Sequence, residues 1–166
     1  MPQPPTQSPP TPASLTADRA LILTFHRTTG TPAQQAAALQ LGSMMCWTAA
    51  MHVAAAAGGI QTAGHVQATN FNQMFPQFNE VTSAQQAMAL PLGCFVGFTD
   101  ATGNTLRHVM IHVGLGWAAG TNNGSMFPNN IVGGWQLINI SRFFGSAPHG
   151  LGGSRMIYRR IDGTGL

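Results

Sequence analysis

The sequence predicts an α+β fold in which helices come first and an antiparallel sheet second. Alanine- and glutamine-rich segments with helix start and stop signals fill the first half of the chain. From Pro91 onward the pattern changes to short β-branched and aromatic runs separated by Gly- and Asn-containing turns. No internal repeat is visible. At 166 residues the chain suits one domain with a proper core, read as residues 18–166.

The elements follow in order. Residues 1–17, opening on Met1-Pro-Gln-Pro-Pro, read as a flexible or polyproline II-like leader. Leu21-Ile-Leu-Thr-Phe25 reads as a short strand or the start of a packed arm. Thr31-Pro32-Ala33 supplies an N-cap and a proline at the first helical position, so a helix should run to about Leu41. Gly42-Ser43 interrupts it, and Met44 to Ala57 resumes, with Ser43 as N-cap and Gly58-Gly59 as stop signal. Gly64 to Glu80 lacks a period and reads as a loop or irregular lid. Thr82 to Leu90 is a short capped helix that Pro91 ends. Strands are expected at Cys94 to Thr99, Arg107 to Val113, Trp117 to Asn122, Trp135 to Ile140 and Ser154 to Ile161.

Composition narrows the functional classes. Only 7% of the residues are charged, and the net charge of +3 comes from seven arginines and no lysine against four acids. Of the arginines only Arg155, Arg159 and Arg160 cluster, which is not the dense basic stripe of a nucleic-acid binder. The N-terminus lacks the basic start and apolar core of a secretory signal. The stretch Ala49 to Ile60 is too short and alanine-rich to span a bilayer. No membrane insertion is expected. Two cysteines do not make a disulfide framework, and Cys94, inside an apolar run, reads as a small core residue.

Cys46 is the candidate nucleophile. It begins an alanine-rich helical segment, where unpaired N–H groups and the positive end of the helix dipole favour the thiolate. Trp47 follows it, as core or as a cleft wall. A thiolate needs a base and the base an orienting group, and the three come from distant parts of a sequence. His108 begins the apolar strand His108-Val-Met-Ile-His-Val-Gly114, from whose entrance an imidazole could reach a helix packed across the sheet. His112 shares its face roughly 13 Å away, four strand residues on, too far to ligate one metal with it. It reads as a packed neighbour and the runner-up base. His52 would point away from the thiol, and His26, His65 and His149 fall in expected loops. Asn122 satisfies the even offset of an antiparallel partner of His108 and Asn123 does not; both also suit a turn beside Gly124. Gln40, six residues ahead of Cys46, would donate its amide to the oxyanion beside the Cys46 N–H.

Together these residues resemble the papain-like cysteine peptidases. That family carries Gln, five intervening residues and Cys-Trp at a helix start, matched by Gln40, Cys46 and Trp47. Its base lies in a His-x-x-x-x-x-Gly strand, matched by His108 to Gly114, and an Asn follows on the next strand, for which Asn122 is the candidate. The Ser-Trp that follows the family's Asn is absent. The short Cys46-to-His108 spacing is similar to NlpC-type peptidoglycan endopeptidases and compact toxin domains of bacterial secretion systems. The resemblance implies a thiol hydrolase with a Cys-His-Asn triad and no metal or organic cofactor. It also implies a protein or peptide substrate, a bacterial effector delivered by a specialised secretion machine, and a cognate immunity protein that plugs the cleft. Peptidoglycan cleavage, glutamine deamidation or transamidation on the same triad, and a non-catalytic binding module on the same scaffold are the alternatives.

Overall fold

Two Thr-Pro-Ala segments start the first two helices in the same way. The computed structural model describes residues 9–58, 75, 77–121, 134–145 and 153–161. Helix α1 spans Pro12–Thr29: the Thr11 hydroxyl accepts the Ser14 N–H while Ser14 Oγ accepts the Thr11 N–H, a reciprocal capping box with proline at the first turn. Helix α2, Pro32–Gly42, repeats the device with Thr31 and Gln34.

The strand reading of Leu21 to Phe25 is therefore corrected to helix, and α1 begins inside the stretch read as leader. Thr16, Ala17, Ala20 and Leu23 are its buried residues, a helical spacing that lays one stripe on the core. His26, expected in a loop, lies in its last turn. Helix α3 spans Cys46–Ala56 and α4 spans Ala84–Met88. No helix among the described residues is long and apolar enough to cross a membrane.

The strands are β1 (Asn79–Val81), β2 (Phe95–Thr99), β3 (Leu106–Gly114), β4 (Trp117–Gly120), β5 (Gln136–Asn139) and β6 (Arg155–Arg159). They form one sheet in the order β1-β6-β2-β3-β4-β5, with every pairing antiparallel. The α+β class is thus observed. Strand β1 begins in the last two residues of the stretch read as a loop or irregular lid. It is only three residues long and earns its place by pairing with Met156 to Tyr158, an interaction invisible to local pattern. The guanidinium of Arg155 grips the Glu80 carboxylate through two hydrogen bonds on that edge.

Each face of the sheet has its own core. Phe95, Val109, Ile111, Ala119 and Ile157 face Ala20 and Leu23 of α1 and Ala49, Ala50 and Val53 of α3. Val96, Phe98, Met110, Ala118 and Met156 face Ala87 of α4 and Ile140, which opens the 3-10 turn Ile140–Phe144. Phe95 and Phe98, both fully buried, therefore support opposite layers, each by about 1.5–3 kcal/mol of apolar burial. Trp135 closes the helical layer with its Nε1–H donated to the Ala20 carbonyl at 2.9 Å.

Candidate active site

Helix α3 starts differently from the others. Its N-cap, Met45, has extended backbone and makes no side-chain cap, so no hydroxyl occupies the first-turn N–H groups. Ser43 was the expected cap. Instead it ends α2, where its own N–H and Oγ both reach the Gln40 carbonyl, the hydroxyl at 2.7 Å. A serine between two helices can accept an N–H at the start of one or donate to a carbonyl at the end of the other; Ser43 does the second, and Met44 and Met45 separate it from Cys46.

The Cys46 thiol takes the vacant position. Near it stand the backbone N–H groups of Val109 of β3, across the layer boundary, of Trp47 and of Cys46 itself. These three donors favour the thiolate. Burial opposes them and is the largest effect, so the thiol pKa lies above its ordinary value. Cys46 is only 2% exposed. In this conformation it is a neutral thiol in a cradle suited to its anion.

His108 is the residue before Val109, so the sulfur touches the backbone next to the expected base. The ring itself lies elsewhere. It is fully buried, with its centroid 6.1 Å from that of Phe98, on the face shared with Met110, whereas Val109 and Ile111 face the helices. Among the described residues no hydrogen bond joins the thiol to an imidazole. This corrects the expectation that the ring points at the helix carrying the nucleophile. The reason is parity: in His-Val-Met-Ile-His-Val the aliphatic set faces the helices and the histidines take the other side. The shift in pairing from Phe98↔His108 to Thr99↔Leu106 leaves Arg107 as the extra residue of a bulge at this point.

His112 is a structural imidazole. Its Nε2 accepts the Gly116 N–H at 3.3 Å and its Nδ1 lies 3.1 Å from the Pro91 carbonyl, which requires the neutral ring with its proton on Nδ1. Burial pushes its pKa down, partly offset by the Pro91 carbonyl. The bonds pin a turn in which Gly114, Leu115 and Gly116 all have positive φ, and so tie the β3–β4 connection to the Pro91 loop. His52 is exposed on α3.

Gln40 lies in the last turn of α2 with its side chain exposed. Among the described residues no hydrogen bond links it to Cys46. Asn122, Asn123, His65, His149 and most of the stretch from Gly64 to Glu80 lie outside the described residues. Cys94 stands just before β2, 1% exposed, with burial holding its thiol far above the ordinary range. Both cysteines are free thiols. Among the described residues no group of three or more His, Cys, Asp or Glu side chains is placed to hold a metal ion.

Sequence reasoning missed Val109, whose contribution is a backbone N–H and so has no residue-type signal, and Thr121, whose hydroxyl bonds the Gly42 carbonyl at 2.9 Å. The fold and site together define an α+β chain presenting a cysteine at an uncapped helix start against the central strand of its sheet. Comparison with protein-family models, with curated proteins and with solved structures finds no match.

Proposed function

We propose that the chain is a papain-like cysteine hydrolase acting on an amide bond, first of all a peptide bond in a target protein. One observation carries this reading: Cys46 opens α3 without a capping side chain, where the Val109, Trp47 and Cys46 backbone N–H groups favour its anion. In this reading His108, whose peptide adjoins the sulfur, takes the thiol proton after a rearrangement of β3 that carries its ring from the Phe98 face of the sheet to the face that meets α3. The thiolate attacks the carbonyl carbon, and the oxyanion is met by the Cys46 N–H and Gln40. His108 then returns the proton to the departing amine as the C–N bond breaks. Water hydrolyses the resulting thioester and restores the thiol. Asn122 holds the imidazole.

The bacterial effector setting, with delivery by a specialised machine and a cognate immunity protein, rests on the sequence resemblance alone. A proteome-wide search for new N-termini after expressing wild type and Cys46→Ala tests catalysis and names the substrate. New termini with wild type alone are expected, and equal termini with both proteins would end the hydrolase reading. A one-dalton shift on a target without cleavage would assign deamidation instead, and muropeptides released from purified sacculi would assign peptidoglycan.

A specific observation favours a second reading. The thiol is buried and its bonds are to backbone, as in a non-catalytic binding module on the same scaffold. In that case Cys46→Ala retains every function of the protein.

A further inference from the structure

The position of the Cys46 sulfur depends on how the elbow between α2 and α3 is held. At the elbow's start, a β-carbon on Gly42 would come within 2.7 Å of the Gly134 Cα, so the two backbones meet where only glycine fits. Gly134 is held in turn from α1. The Arg27 guanidinium bonds the Trp135 carbonyl at 3.4 Å, and the Trp135 indole bonds the Ala20 carbonyl.

On the other side stands Thr121. It is completely buried and directly follows β4. Continuing the register that sets Ile111 opposite Ala119 brings Thr121 opposite Val109, whose N–H is among the groups that favour the Cys46 anion. Its hydroxyl donates to the Gly42 carbonyl at 2.9 Å, one of the terminal acceptors that α2 leaves without an intrahelical partner. A single side chain therefore joins the end of β4 to the segment leading into Cys46.

We propose that Thr121 is a positioning residue: its hydroxyl clamps the α2–α3 elbow so that the Cys46 sulfur meets the Val109 N–H. The proposal rests on Cys46 as the nucleophile. It also ties together two parts of the proposed site, since Thr121 precedes Asn122 and the elbow lies between Gln40 and Cys46. A valine at this position keeps the branched shape but loses the donor. The elbow is then free to shift, and the thiolate loses its one donor from outside α3.

The test is the pH dependence of Cys46 alkylation by iodoacetamide, followed by mass spectrometry in a Cys94→Ser background, with melting temperatures recorded beside it. Thr121→Val is expected to move the midpoint upward by about one unit, which lowers the thiolate fraction near neutral pH about tenfold. Thr121→Ser, which keeps the donor, is expected to restore the midpoint. Thr121→Ala, which leaves room for a water on the Gly42 carbonyl, should move it the same way by less and serves if the valine variant does not fold. An unchanged or lowered midpoint in the valine and alanine variants, or failure of the serine variant to restore it, overturns the clamp. If Cys46→Ala keeps hydrolytic activity, the hydrolase reading fails while the midpoint still decides the clamp. If hydrolysis depends on Cys46 and the midpoint ignores Thr121, the clamp alone fails.

Discussion

Cys46 and Cys94 are the same residue type, both buried and both free thiols, yet their surroundings differ. Around Cys46 the own, Trp47 and Val109 N–H groups all favour the anion against burial. Around Cys94 burial is met only by its own N–H and the charge of Arg160, and the thiol is held far higher. Burial alone therefore does not distinguish the two thiols. What differs is the set of backbone N–H groups beside them: two at the start of α3 and one on β3 for Cys46, its own alone for Cys94.

The sharpest way to break this contrast is to remove each sulfur. Cys46→Ala should abolish hydrolysis of the substrate identified by the new N-termini, whereas Cys94→Ser should leave kcat/KM within about twofold, because hydroxyl for thiol at that position touches none of the reacting groups. Comparable losses in the two variants would erase the distinction. Next comes the pair of histidines. His108→Gln should lower kcat by roughly 10²–10⁴, the usual contribution of a general base. His112→Asn should leave kcat near wild type but lower stability by about 1–3 kcal/mol, since the Gly116 N–H loses its acceptor. Activity and urea denaturation measured on both variants check this.

The same His112 environment gives a pH prediction. Its folded-state pKa is depressed by burial, while the unfolded chain returns to about 6.5. Below that value the unfolded state binds the proton first, so the contribution is complete above the unfolded pKa and is lost as the pH falls toward the folded one. Melting temperature should drop more between pH 7.5 and 5.5 for wild type than for His112→Asn. Equal drops would remove His112 from the pH response. A smaller effect is expected at the α1 start: Thr11→Ala loses its capping hydroxyl and should cost about 1 kcal/mol, whereas Met45→Ala, at a helix start with no side-chain cap, should cost α3 no capping energy.

Much of the fold was legible in the sequence because its signals are local. Thr31-Pro32-Ala33, Pro91, and the β-branched and aromatic runs that became β2 through β6 all state their structure within a few residues. Thr11-Pro12-Ala13 carried the same start signal as Thr31, but the proline-rich stretch around it and the apolar Leu21 to Phe25 run concealed it. Strand β1 was hidden because its partner, β6, is remote in sequence.

At the candidate site, the sequence placed Cys46 at a helix start and next to the His108 strand. Ring orientation was a subtler matter: the aliphatic alternation of Val109 and Ile111 already indicated which face of β3 meets the helices. Ser43 was ambiguous because it adjoins two helix termini, and only the fold decides which carbonyl its hydroxyl reaches. The Val109 N–H and the Thr121 clamp are products of tertiary contact alone.

The measurement that bears most directly on the role of Cys46 is competitive iodoacetamide labelling of the wild-type protein near neutral pH, with both cysteines quantified in the same peptide digest. Thiolate is the reacting species, so the three-donor cradle predicts that Cys46 labels at least about tenfold faster than Cys94. Equal rates, or faster labelling of Cys94, would contradict the assignment of Cys46 as the nucleophile.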